Sequence, residues 1–467
     1  MTEASVLERI LRHPLAALLA NRSGGPTVHA VGGIVRDAVL SAVTADLDLS
    51  VAKQGASLAK QLADDSGGTS IPLGGDRFSS YRVVVGTAGA GGAVQADIWD
   101  REGGTLKADL ERRDLTINSI ACSFDSARLL DPFGGLSDLG TRTLRATKLD
   151  CFERDPLRVL RLARFRLNLD GFTVEEATTT AARNAVRGLD RVASERSRDE
   201  LQRILSVTST RLAFETLHEL GALAVLVPEA GDPVVSVALL DQASRLDGCL
   251  SMLQVELSEA AETAETNEIA WQAADRMLAA LSLLIGLPSG GDRSHAPGTP
   301  VSDGGDGGDV KRRGLATRKT LQRAMRLLAD RLPHDQESRR LFLSRHGSSW
   351  PLAVAVTAAA RSRLDPSDTA PIAKALEQTA IANPSLVQGT APLLDGHVAA
   401  RLMGVEPGPV VGEALRALQR AQALGQVRSR HEAEDFVQKR WSAAVSAANI
   451  EDNAELDATS EPPSGAD

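Results

Sequence analysis

The first third of the chain alternates in short runs, and the remainder does not. "TVHAVGG" from Thr27, "DLDLSVA" from Asp46, "YRVVVG" from Tyr81, "AVQADIWD" from Ala93 and "INSIACSF" from Ile117 are brief and β-branched or alternating. Bounded by glycines, they have the pattern of half-buried strands. "IVRDAVLSAV" from Ile34 and "GASLAKQLADDSGG" from Gly55 read as helices between them, the second closed by a glycine cap. After "DPFGG" at Asp131 the character changes, and from Cys151 nearly every apolar run has helical spacing. "LPSGGDRSHAPGTPVSDGGDGGDVKRRG", from Leu287 to Gly314, is a linker or long surface loop by composition, and the acidic end from Ile450 lacks the makings of a core. No internal repeat is visible. The pattern is that of an α+β domain followed by an all-α region.

One strand breaks the apolar rule. Asp46 and Asp48 sit two apart in "DLDLSVA", so both side chains point to one face, where two carboxylates repel. Alone, such a pair reads as a solvated strand edge. Its alternative is a site where something positive sits between the two acids. In "AVQADIWD", Gln95, Asp97 and Trp99 share one face, and Val94, Ala96 and Ile98 the other. If that strand lies beside the one bearing Asp46 and Asp48, three carboxylates converge. Magnesium prefers such oxygens, and two ions can activate a hydroxyl and stabilise departing pyrophosphate.

Three further stretches carry chemistry. Gly32 and Gly33 in "GGIVRD" stand between a strand and a helix, where the backbone can approach a ligand and free N–H groups attract phosphate. This is neither of the usual glycine-rich nucleotide fingerprints. "LERRDLTINSIA", from Leu110, offers Arg112, Arg113, Asp114 and Asn118, with Asp114 also suited to cap a helix. "CFERDPLRVLRLARFRLNLDGF" places Pro156 in a first turn and Arg154, Arg158 and Arg161 on one helical face. Asp155 and Arg158 together could offer an acceptor and donors to a base edge.

Composition narrows the rest. At 467 residues two or more domains are expected. The net charge of −9 and 3% aromatic content argue against a wholly basic or stacking-rich nucleic-acid binder, without excluding a local basic groove. Cys122, Cys151 and Cys249 form neither a disulfide framework nor a zinc motif, which fits a reducing cytosol. The opening, with Glu8, Arg9 and Arg12 at helical intervals, reads as a surface helix rather than a signal peptide, and no uncharged stretch is long enough to span a membrane. A cytoplasmic protein is expected.

In order, "GGIVRD", "DLDL", "RRDLTIN", "DPFGG-x-x-DL", "RDPLRVLR" and "ERSRDELQRIL" resemble the class II tRNA nucleotidyltransferase and bacterial poly(A) polymerase superfamily, and the stretch from Ala391 to Val437 looks like that family's tail. The resemblance implies a polymerase-β-type head over 1–150 and a helical neck over 151–212. Body helices would fill 213–286 and 315–390 around the 287–314 linker, with a tail over 391–447 holding the tRNA elbow and a disordered end over 448–467. It implies CCA addition to tRNA 3′ ends from CTP and ATP. Addition of CC or A alone, poly(A) synthesis, or a catalytically inactive RNA-binding scaffold remain as alternatives. Asp46 and Asp48 would hold Mg2+, with Asp97 as a third catalytic carboxylate. Gly32, Gly33 and Arg36 would serve the triphosphate. Arg113, Asp114 and Asn118 would contact the ribonucleotide. Asp155 and Arg158 would read the base, with Arg161 beside them. Glu195 and Arg196 would brace the neck, and "DPFGG" would be a flexible link. The family's Glu-Asp-x-x-Arg motif here begins with Arg154, which puts nucleotide choice in question. A His-Asp phosphohydrolase set is not seen, His334-Asp335 reading as a helix start, and no protein partner is expected. A basic stripe from Arg154 through Arg166 to Arg203 would make tRNA binding strongly salt-dependent.

Overall fold

The computed structural model describes residues 2–20, 27–42, 46–73, 80–86, 94–101, 104–207, 209–261, 273–285, 318–329, 331–361, 364–389 and 391–441. The linker expected over 287–314 and the acidic end expected over 448–467 lie outside them. The chain divides into two compact units, one over Met1–Val237 and one beginning at Ala238.

The first unit is built on seven strands: β1 Val28–Val31, β2 Asp46–Val51, β3 Thr69–Leu73, β4 Ser80–Val85, β5 Val94–Asp100, β6 Ala121–Ser123 and β7 Leu129–Leu130. They form one mixed sheet in the order β3-β4-β5-β2-β1-β6-β7, with β2 and β5 parallel and every other pair antiparallel. The five expected strands are all present. β3 was not expected, and all five of its residues are exposed or half-exposed with Pro72 among them, so it lacks the alternation that marks a strand. In β2 the pleat sorts residues cleanly. Leu47 and Leu49 are buried, whereas Asp46 is exposed and Asp48 half-buried on the other face.

Helices α1 Glu3–Ile10, α2 Pro14–Ala20, α3 Gly33–Leu40, α4 Gly55–Ser66 and α5 Leu106–Glu111 accompany the sheet. The single N-terminal helix expected is two, divided before Pro14, which cannot donate into a helix interior and starts the second instead. After α6 Gly135–Thr141 come α7 Cys151–Arg154, α8 Leu157–Asn168, α9 Glu176–Ala185 and α10 Ser194–Leu205, with α10 packed on α8.

The second unit is helical throughout its described residues. Asp335 caps the helix Gln336–His346 in a reciprocal arrangement with Ser338, so His334-Asp335 is a helix start as read from the sequence. Helices Gly396–Met403 and Pro409–Leu424 share a core of Leu394, Ala399, Met403, Leu418, Val427 and Val437. All three cysteines are free and buried. No helix among the described residues is long and apolar enough to cross a membrane.

Candidate active site

Register brings the carboxylates together. The parallel pairing of β2 and β5 sets Asp46 opposite Gln95 and Asp48 opposite Asp97. Gln95 Nε2 donates to Asp46 Oδ1 at 3.1 Å. Asp46, Asp48 and Asp97 therefore share one face of the sheet. One strand further out, Arg82 of β4 stands opposite Asp97 and grips both its oxygens, from Nε and Nη2, at 2.7 Å each. Sequence reading passed over Arg82. A signal existed: Arg82 and Asp97 lie equally far outside the glycine-rich segment "GTAGAGGA", so a hairpin register drawn through it pairs them.

Gly32 makes room for the site. It has φ +77°, and a Cβ there would lie 2.6 Å from Arg113 Nη1 and 3.0 Å from Asp48 Oδ2. Only glycine suits both the backbone angle and the space. Gly33 then begins α3, whose first N–H groups are free of helical partners. Arg113 Nη1 stands 4.0 Å from Asp48 Oδ2, and its guanidinium lies over the Trp99 ring at 5.1 Å. The buried Nε of Arg113 has no hydrogen-bond acceptor among the described residues. A buried donor left without an acceptor is costly.

Burial pushes the Asp48 carboxyl up to about 6, with Arg113 opposing and Asp97 and Asp46 adding to the rise. Asp114 goes the other way. Burial alone would raise it, but Arg161, Asn118 and the Leu115 N–H together hold it below the usual carboxylate range. Its Oδ1 accepts from Leu115 N and Asn118 Nδ2 at 2.9 Å each, and its Oδ2 accepts from Arg161 Nε at 2.8 Å and lies 2.7 Å from Arg161 Nη2. Both of its oxygens are thus engaged. Asp114 and Asn118 are both buried, and Arg36 Nη1 donates to Asn118 Oδ1 at 2.8 Å. These residues form a relay, Arg36–Asn118–Asp114–Arg161, joining α3 to α8.

The neck differs from its expectation in detail. Arg154, Arg158 and Arg161 do not share one helix: Asp155 is extended at φ −141°, because Pro156 disfavours a helical residue before it, and α8 starts afterwards. Arg154 pairs instead with Asp150 in solvent. Glu153 is exposed. Arg158 Nη2 donates to the Arg112 carbonyl at 2.6 Å, and Arg196 Nη2 donates to Asp155 Oδ2 at 3.0 Å. Glu195 is exposed, and the buried acid here is Glu200, which pairs with Arg164 and Arg203. Phe165 is another residue missed in sequence. Arg36, Arg161 and Arg164 stand 5.3, 5.8 and 4.9 Å from its ring.

Among the described residues no group of three or more His, Cys, Asp or Glu side chains is arranged around one metal position. Asp97 is held by Arg82, while Asp46 accepts from Gln95 Nε2 and Asp48 lies 4.0 Å from Arg113. Two hard oxygen donors, one of them a carboxylate whose anion is disfavoured by its surroundings, suit a magnesium-like ion that takes its other ligands from water and substrate phosphates.

Comparison with known proteins follows the same lines. The Poly A polymerase head domain family matches residues 28–145, and the family described as a probable RNA and SrmB-binding site of polymerase A matches residues 171–232. A CC-adding tRNA nucleotidyltransferase from Geobacter sulfurreducens is 31% identical over 448 residues, covering 91% of this chain and 95% of that protein. An A-adding tRNA nucleotidyltransferase from Deinococcus radiodurans is 32% identical over 438 residues, covering 89% and 96%. In fold, the crystal structure of the Bacillus stearothermophilus CCA-adding enzyme in complex with CTP matches with a TM-score of 0.62 at 22% identity, over 95% of this chain and 99% of that one.

Proposed function

The chain belongs to the class II tRNA nucleotidyltransferase family and is an enzyme of that type, and on that premise we propose that it adds C, C and A to tRNA 3′ ends from CTP and ATP, without a template. The observation that carries the reading is the open face of β2, where Asp48 meets the Gly32 turn and an Arg113 whose buried Nε has no acceptor.

In this reading Asp46 and Asp48 hold divalent ions, magnesium by preference of the donor set. When bound, those ions supply an activated RNA 3′-hydroxyl and charge neutralisation on the departing pyrophosphate. The chain's own residues do the rest. The N–H groups at the start of α3 and the Arg113 guanidinium receive the triphosphate. Asp114 and Asn118 hold Arg161 and Arg36 in place through the relay rather than presenting free edges of their own. Asp155 and Arg158, now engaged by Arg196 and the Arg112 carbonyl, exchange those partners for the edge of the incoming base. Protein groups thereby choose the nucleotide that a template would otherwise choose.

Purified protein, Mg2+ and tRNA transcripts ending before, within or one nucleotide short of CCA, each with CTP, ATP or both, test the proposal. Products sized at single-nucleotide resolution are expected to grow stepwise to CCA and stop. Growth that halts at CC, starts only from CC, or continues as a run of A would replace it with the corresponding narrower or different activity, traced to Arg154 in the neck.

A further inference from the structure

Three side chains stand in a row across β4, β5 and β2. Register sets Arg82 opposite Asp97, and Asp97 opposite Asp48. Neighbouring strands lie about 4.8 Å apart, so an unpaired Asp97 would place a second negative charge directly beside Asp48. Arg82 offsets much of that charge with a two-pronged grip at 2.7 Å on each oxygen.

Stability does not explain the pair. The Arg82 side chain is 37% exposed and that of Asp97 28%, and ion pairs so open to water add little to folding. Nor is the grip part of any motif that places the site, since β4 carries none of them. What the pair changes is the charge and the number of carboxylates offered to a cation. Among the described residues the result is visible, as no three acids converge on one metal position although three acids share the face.

We propose that Arg82 is a positioning residue, which holds the Asp97 carboxylate out of the ion-binding set so that Asp46 and Asp48 receive the divalent ions. This rests on the reading of Asp46 and Asp48 as ion ligands. It assigns to Asp97 the role of a tethered neighbour in place of a third ligand. Leaving the ions with two protein carboxylates keeps their remaining coordination positions for the triphosphate and the RNA end, which have to enter and depart at every addition.

The test is Mn2+ binding to the full-length chain without nucleotide, followed by the electron paramagnetic resonance signal of free Mn2+. Arg82→Gln releases Asp97 and is expected to bind Mn2+ about tenfold more tightly than wild type, the scale of adding one charge at this separation in a watery site. Adding Asp97→Asn to that variant is expected to restore wild-type affinity, because the row is then neutral again, whereas Asp97→Asn alone leaves the Arg82 cation uncompensated and is expected to bind Mn2+ about tenfold more weakly. An Arg82→Gln affinity equal to or weaker than wild type overturns the proposal. So does an affinity of the Arg82→Gln, Asp97→Asn double variant well below that of wild type, which would make Asp97 a ligand, since no unpaired cation is left to account for the loss. Asp46→Asn with Asp48→Asn serves as the separate check on the underlying reading: if that double variant binds Mn2+ as wild type does, the ions are held elsewhere, whatever Arg82 does.

Discussion

Asp48 is a carboxylate in a place that favours its acid form. Burial lifts it to about 6, with Arg113 the main force opposing the rise. Ion binding needs the anion, so nucleotide addition is expected to rise with pH through about 6. Proton and cation compete, so more Mg2+ should shift that limb to lower pH. For folding the sign is reversed. Between the ordinary aspartate range and about 6 the native state holds more protons than the unfolded chain, so the contribution of this group to stability is present in acid and lost as pH rises through about 6. Asp48→Asn is therefore expected to abolish addition and to raise the melting temperature slightly at pH 7 to 8 in the presence of a chelator. The gain is at most about 1 kcal/mol, because 36% of the side chain still meets water. A lower melting temperature would show that the anion is stabilised by the fold. At this scale the acid pair on one strand face was legible in sequence, with a neighbouring positive charge as the alternative to a solvated edge. Arg82 was not legible in the same way, since its partner is assigned by the register of a hairpin and not by anything adjacent to it in the chain.

At the scale of elements, the "DPFGG" segment after the sheet is a turn held by named contacts. Asp131 accepts from the N–H groups of both Gly135 and Leu136 at 2.8 Å. Gly134 has φ +79°, and a methyl group at Gly135 would overlap the Thr116 carbonyl. The Thr116 hydroxyl donates to the buried Asp138 at 2.6 Å, which Arg145 also engages. Gly135 is thus required by close approach, whereas Gly140, five residues on in α6, faces open space. Gly135→Ala is expected to destabilise the chain by about 1–3 kcal/mol, as overpacking does. Gly140→Ala should be neutral or stabilising by up to about 1 kcal/mol through helix propensity. Urea unfolding of the two variants checks both, and equal midpoints would contradict the brace. Sequence alone could not separate these two glycines, because the difference lies in a carbonyl nineteen positions away.

At the scale of the whole molecule, the basic stripe expected over the neck is set among acids. Residues 151–205 hold eleven arginines against nine acids, a small surplus within a chain of net charge −9. Five of those arginines are paired with acids: Arg161 with Asp114, Arg164 and Arg203 with Glu200, Arg196 with Asp155, and Arg154 with Asp150. The neck's cations therefore build the fold and fix the site before they meet RNA. Affinity for tRNA is expected to fall by roughly 10- to 100-fold between 50 and 200 mM salt, the dependence of a few net phosphate contacts. Filter binding over that range measures it, and a fall of a thousandfold or more would restore the stripe.

Five of the seven strands of the sheet, the change from mixed to helical structure and the acid pair of β2 follow from the sequence by itself. Each depends on near neighbours: on period two or three to four, on a proline or glycine at a boundary, on two like charges sharing a face. The identity of what surrounds the acid pair was decided only in three dimensions. Strand order set Asp97 beside Asp48 and Arg82 beside Asp97, and Pro156 broke the neck so that Asp155 met Arg196 while Arg158 met a backbone carbonyl. Pairings of that kind join residues far apart in the chain, and their choice is made by register and packing, which no local pattern records.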